Sequence, residues 1–172
     1  MSAKAAKGNS TRVADSARIL LLGLGNDLLT DDAIGLRVAH QLRDCLKDCK
    51  NISVAESTEM GLALLDLVVG FETLIIVDAI QTSKVPTGFV HELEAGDLNQ
   101  LVTMSPHFLG VGELLALGRE LGLAVPARMK IFAVEVQDPF TIGTQMTPAL
   151  GDTLPHIVEQ VRDFCKSVAL GS

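Results

Sequence analysis

Apolar residues fall into two kinds of run along this chain. ILLL at 19–22 and LIIV at 74–77 are unbroken, the pattern of strands covered on both faces, whereas FVHEL at 89–93 alternates as an edge or half-exposed strand does. With two further runs the pattern predicts five strands: Ile19–Leu22, Ile52–Ala55, Leu74–Asp78, Phe89–Leu93 and Lys130–Val136. Between the first two, Ile34, Val38, Leu42 and Leu46 recur every four residues, which predicts an amphipathic helix over Asp32–Cys49. A second helix is expected over Gly61–Val69. A third, over Leu109–Leu121, is introduced by Ser105-Pro106 and closed by Gly122, and a fourth runs from about Leu150 to Val168.

Strands alternating with helices predict a single-domain α/β fold. The expected form is a three-layer sandwich, with an about five-stranded, mostly parallel sheet and helices on both faces. The link at 77–93 carries Pro86 and Gly88 but no crossover helix, so the strands that it joins are expected to run antiparallel and the sheet to be mixed. Residues 1–17 are small, polar and mixed in charge and read as a flexible N-terminal tail. Residues 18–170 read as one domain, long enough to bury a full core.

Charge and composition narrow the partners. A net charge of -7 with no cluster of Lys and Arg argues against nucleic acid and against an anionic membrane surface. Six Phe, with neither Trp nor Tyr, leave little for base stacking. The tail lacks the apolar stretch of a signal peptide, and GLALLDLVVGF is interrupted by Asp66 and falls short of the roughly 20 residues that span a bilayer. Cys45, Cys49 and Cys165 make an odd count without disulfide or zinc spacing, which fits a reduced, cytoplasmic setting and gives them no assigned role.

In an open α/β sheet the chemistry sits beyond the carboxyl ends of the strands. Few polar residues qualify: Asn26, Asp27, Asp31 and Asp32 after the first strand, Asp78 at the end of LIIVD, and His107 in the loop before the third helix. Gly23 and Gly25 begin like a dinucleotide fingerprint. Leu28 stands where its third glycine belongs, however, and two carboxylates would repel a pyrophosphate from the helix start. One acid of the Asp31–Asp32 pair is expected to cap the helix. Asp78 has fewer structural explanations, because a buried carboxylate is costly unless a cation or donors meet it.

Two carboxylates and one imidazole at strand ends suit a borderline-soft metal with positions left open for water or substrate. His40 and His156 fall in helical patterns and His91 in a strand, so they are weaker ligand candidates. No serine occupies a G-x-S-x-G elbow, and Cys45 and Cys49 lie too far along their helix to act as nucleophiles at the strand end. Glu135 and Asp27 are possible assistants to the reaction, with a structural or solvated role as the simpler reading.

LGLGNDLLTDDAIGLRVAHQL, EMGLALLDL, LIIVDAI, PTGFVHEL, SPHFLGVGELLALGRELG and AVEVQDPFTIGTQMTP together resemble, in the same order, the hydrogenase maturation endopeptidases, which process the large subunit of nickel-iron hydrogenases. The likeness runs from Ile19 to about Val168, and its specific blocks are GxGNxLxxDD-x-x-G and SPH-x-L-G. It implies a nickel-dependent, cytoplasmic, monomeric protease. Its substrate would be one hydrogenase large-subunit precursor, from which it removes a short C-terminal extension after nickel insertion.

Carried over by motif, Asp32, Asp78 and His107 are similar to the family's three metal ligands, leaving Asp31 as the helix-start residue. The resemblance also implies that the nickel is supplied by the substrate protein, with other divalent metals able to substitute. The alternative from another class is a non-catalytic chaperone that grips the nickel-loaded subunit without cutting it.

Overall fold

A computed structural model describes residues 18–97 and 111–171. The expected tail at 1–17 and the histidine of the SPH motif, His107, lie outside the described residues, as do the first residues of the third predicted helix.

All five predicted strands form: β1 (Ile19–Leu24), β2 (Ile52–Ser57), β3 (Thr73–Ile80), β4 (Val90–Glu94) and β5 (Arg128–Glu135). Their order in one sheet is β2-β1-β3-β5-β4, with β1, β2, β3 and β5 parallel and β4 antiparallel to β5. Every residue of β1 and of β3 is buried, as their unbroken apolar runs require. The alternating β4 is the edge. It runs opposite to β3, as its short link demands, but β5 is inserted between the two.

Helices α1 (Ile34–Cys45), α2 (Leu65–Val68), α3 (Val111–Glu120) and α4 (Pro148–Leu170) cover the two faces. The second predicted helix is split: Gly61–Leu64 winds as a tight 3-10 turn and only Leu65–Val68 is α-helical. Its apolar residues do not hold a regular helical stripe over a full length.

Strand residues alternate between two cores. Ile19 and Leu21 of β1, Ile75 and Val77 of β3 and Phe132 and Val134 of β5 pack with Val38 and Leu42 of α1 and with Ile157 and Val161 of α4. Leu20, Leu22, Leu74, Ile76 and Ile131 turn to the other side and meet Val68, Leu114 and Leu115 of α2 and α3. By the same alternation Asp78 and Glu135 belong to the α2–α3 side, at the carboxyl ends of β3 and β5. Among the described residues no helix is long and apolar enough to cross a membrane.

Candidate active site

The turn from β1 into α1 is pressed against the sheet by glycine. A Cβ on Gly23 would overlap the Gly35 carbonyl, and one on Gly35 would overlap the carbonyls of Leu24 and Val77. The helix therefore lies closer to β1 and β3 than any side chain permits. Gly25 has φ 149°, and a Cβ there would strike the carbonyl of Asp32. The returning chain thus lays Asp32 directly over the end of β1. β1 pairs with β3 through Gly23 and Val77, one residue before Asp78, so Asp32 and Asp78 come to the same sheet edge.

Asp78 is fully buried between Val77 and Ala79 and opposite Ala133 of β5, and its Oδ1 accepts the amide of Ala79 at 2.9 Å. Asp32 is half-buried. Among the described residues no group of three or more His, Cys, Asp or Glu is disposed to hold a metal. The two carboxylates at this edge fit such an ion only together with a further ligand. The buried carboxylate of Asp78, in apolar surroundings, has the chemistry of a cation ligand.

Asp31 does not start the helix as expected. α1 begins at Ile34 with Ala33 before it, no side chain caps it, and its first turn carries no acid. The fully buried Asp31 carboxylate reaches across the fold instead. It accepts the amides of Gln137 (3.2 Å), Asp138 (2.9 Å) and Thr147 (2.7 Å) and the Thr147 hydroxyl (2.9 Å). Thr147 immediately precedes α4, so the acid satisfies donors of the loop after β5 and of the last helix's start rather than those of its own helix. The reason is position: Asp31 lies three residues before the first residue of α1, and its side chain turns to the loop after β5 and the start of α4 instead.

The same two loops are tied by main chain. The Thr30 amide donates to the Thr141 carbonyl at 3.0 Å, that of Asp31 to Asp138 at 3.1 Å, and that of Gly143 to Leu28 at 3.0 Å, with Leu29 and Ile142 paired antiparallel between them. The Thr30 hydroxyl also donates to the Asp138 carbonyl.

Glu135 forms a second buried centre. Its Oε1 accepts the amides of Thr82 (2.8 Å) and Ser83 (2.7 Å), and its Oε2 accepts the Thr82 hydroxyl (2.8 Å) and lies 3.2 Å from Nε2 of His91. Burial opposes its charge, but the Thr82 hydroxyl, the Ser83 and Thr82 amides and His91 outweigh that and hold the carboxyl below its ordinary value. Glu135 is thus the structural acid of the simpler reading. It fixes the turn that follows β3, including Ser83 at φ 58°. Asp27, the other suggested assistant, is exposed.

His91 is a β4 residue, His40 lies exposed on α1 and His156 lies on α4. None of them joins Asp32 and Asp78 in a metal-holding group. Cys165 is fully buried and its thiol is pushed up to about 12, first by that burial and then by Cys49, so it is unreactive. The functions of Asp31 and Glu135 were hard to find in sequence because their partners are remote. The one signal was an acid at each strand end without a nearby cation.

Between α1 and the carboxyl ends of β1 and β2 lies a hollow of about 460 Å³, bordered by Asp27, Arg37, Glu56, Ser57 and Thr144. Glu56 is held there at 2.6 Å from Arg43 and 3.5 Å from Nδ1 of His40. The hollow adjoins the turn that carries Asp32, through Asp27 and Ala33.

Known proteins similar to this chain include hydrogenase maturation proteases. The Hydrogenase 2 maturation protease of Escherichia coli (strain K12) is 31% identical over 146 residues, which cover 84% of this chain and 88% of that protein. The structure of the hydrogenase maturating endopeptidase HybD from E. coli superposes with a TM-score of 0.72 at 29% identity, over 87% of this chain and 93% of that one. That of the [NiFe] hydrogenase maturation protease HybD from Thermococcus kodakarensis shares the fold, with a TM-score of 0.63 at 24% identity over 86% and 98% of the two chains. Residues 36–163 match the family model HycI, described as hydrogenase maturation protease. With most of its length matched in sequence and in fold, the chain belongs to the hydrogenase maturation protease family.

Proposed function

We propose that this protease removes the C-terminal extension of a nickel-iron hydrogenase large-subunit precursor after nickel has been inserted, and that Asp32, Asp78 and His107 carry the reaction. The observation that supports it best is Asp78, a carboxylate buried at the end of an apolar strand, beside the turn that delivers Asp32. Burying a carboxylate is costly, and a divalent cation offsets that cost. Two carboxylate oxygens and one imidazole nitrogen are ligands that nickel accepts, and other borderline divalent ions would substitute.

The nickel is taken to arrive with the substrate, so that an unloaded precursor would leave the site incomplete. When bound, the ion supplies a Lewis acid that polarises the scissile carbonyl or acidifies a water. Asp78 is held in orientation by the Ala79 amide, and Asp32 by the glycine-packed turn. Together with His107, from the SPHFLG motif, they would fix the cation against the peptide bond. The reading has the protein act as a cytoplasmic monomer.

The test incubates nickel-loaded precursor with the wild-type protein and with Asp32→Asn, Asp78→Asn and His107→Ala, after circular dichroism has shown that each folds. Mass spectrometry of the large subunit should show a shortened C-terminus with the wild type. Each variant should lose activity by roughly a thousandfold or more. An intact subunit held in a stable complex with the wild type would make the protein a chaperone instead. Cleavage undiminished in all three variants would overturn the ligand assignment.

A further inference from the structure

Three large apolar side chains stand in solvent on the two tied loops. Leu28, after β1, is 64% exposed, and Phe140 and Ile142, after β5, are 74% and 84% exposed. They are not loose ends. Leu28 offers its carbonyl to Gly143, Leu29 pairs with Ile142, and the Phe140 and Thr141 amides donate to Asp138 Oδ1 at 3.1 and 3.0 Å. The carboxylate of Asp31 pins both ends of the second loop, at Gln137–Asp138 and at Thr147. Apolar groups exposed on a rigid frame lose little entropy when covered, which is the condition under which burial becomes affinity.

Their place in the fold selects the occupant. The same stretch that carries Leu28 leads within four residues to Asp32, and the loop of Phe140 and Ile142 is tied to it, so the three side chains flank the proposed site of cleavage. A protease that acts on one folded protein needs affinity from parts of the substrate away from the cut. We propose that Leu28, Phe140 and Ile142 form a docking rim for an apolar surface on the folded body of the large-subunit precursor, and that this contact sets which precursor is accepted. The inference rests on the proposed function and deepens it.

The test measures cleavage of nickel-loaded precursor by wild type, by Phe140→Ser/Ile142→Ser and, independently, by Leu28→Ser on the other loop. Leu170→Ser serves as the control, its side chain 88% exposed at the far end of α4. The rim variants should fold with an unchanged Tm and raise KM about tenfold or more while kcat stays within about twofold, because only ground-state docking is lost. The processed large subunit, which lacks the extension but keeps its body, should inhibit wild type competitively and the double variant much less.

KM unchanged in both rim variants, or an equal rise in Leu170→Ser, would overturn the docking rim. So would a loss confined to kcat. Absence of cleavage by the wild type itself would overturn the proposed function, and this inference with it.

Discussion

Asp31 and Asp32 are chemically identical neighbours with different surroundings. Asp31 is sealed from water and accepts four hydrogen bonds from residues 137, 138 and 147. Asp32 is half-buried at the sheet edge. Asp31→Ala strands three amides and a hydroxyl and should cost about 3 kcal/mol, read as a lower urea midpoint with little change in m-value. Asp32→Asn should leave the midpoint within about 1 kcal/mol of wild type while abolishing cleavage, so the pair separates stability from chemistry.

Glu135 adds a pH dependence with a defined sign. Its carboxyl is lowered from 4.5 in the folded state, so its contribution is fully present above that pH and is lost as pH falls through the lower, folded value. Glu135→Gln should flatten the acid limb of stability against pH, measured by urea unfolding between about pH 3 and 6. An unaltered acid limb would mean that the Thr82–Ser83 turn does not depend on the charge.

At the scale of elements, the first turn of α1 meets the sheet through main chain, ahead of the side-chain packing of Val38 and Leu42. Gly35 sits on the carbonyls of Leu24 and Val77, so even one methyl must push the helix outward. Gly35→Ala should destabilise by about 1–3 kcal/mol despite its gain in helix propensity. It should also reduce cleavage more than Gly151→Ala in α4, where an added Cβ meets nothing within 4 Å. Thermal unfolding and a cleavage assay on the two variants check both halves.

The same elements show what could be read in advance. β1 and β3 were legible because burial on both faces leaves no polar position to interrupt the run, and α1 because Ile34, Val38 and Leu42 keep a single stripe. The insertion of β5 between β3 and β4 was not legible. A short link reports the direction of the next strand, whereas its neighbour is chosen by packing between distant segments. Asp31 was misread for a related reason: local rules offered it a helix start, and its partners lie 106 to 116 residues away. The burial of Asp78 was legible because its strand is an unbroken apolar run, while its catalytic role rests on the proposal above.

For the whole molecule, the order β2-β1-β3-β5-β4 puts three buried parallel strands at the centre and leaves β2 and β4 as edges. The loops around the candidate site are secured from the centre outward, by Asp31 beyond β1, Asp138 beyond β5 and Glu135 at the end of β5. A site built this way should open late in unfolding. Native-state hydrogen exchange tests this directly. The amides of β1 and β3 should exchange only by global unfolding. The amides of Asp138 and Thr147, bonded to Asp31, should exchange nearly as slowly, although both lie in loops. The edge strand β4, with only β5 beside it among the described residues, should exchange sooner than the central strands. If the Asp138 and Thr147 amides exchanged as fast as ordinary surface loops, the clasp would be a contact without energetic weight. The apolar rim that it carries would then lack the stiffness that makes docking on it favourable.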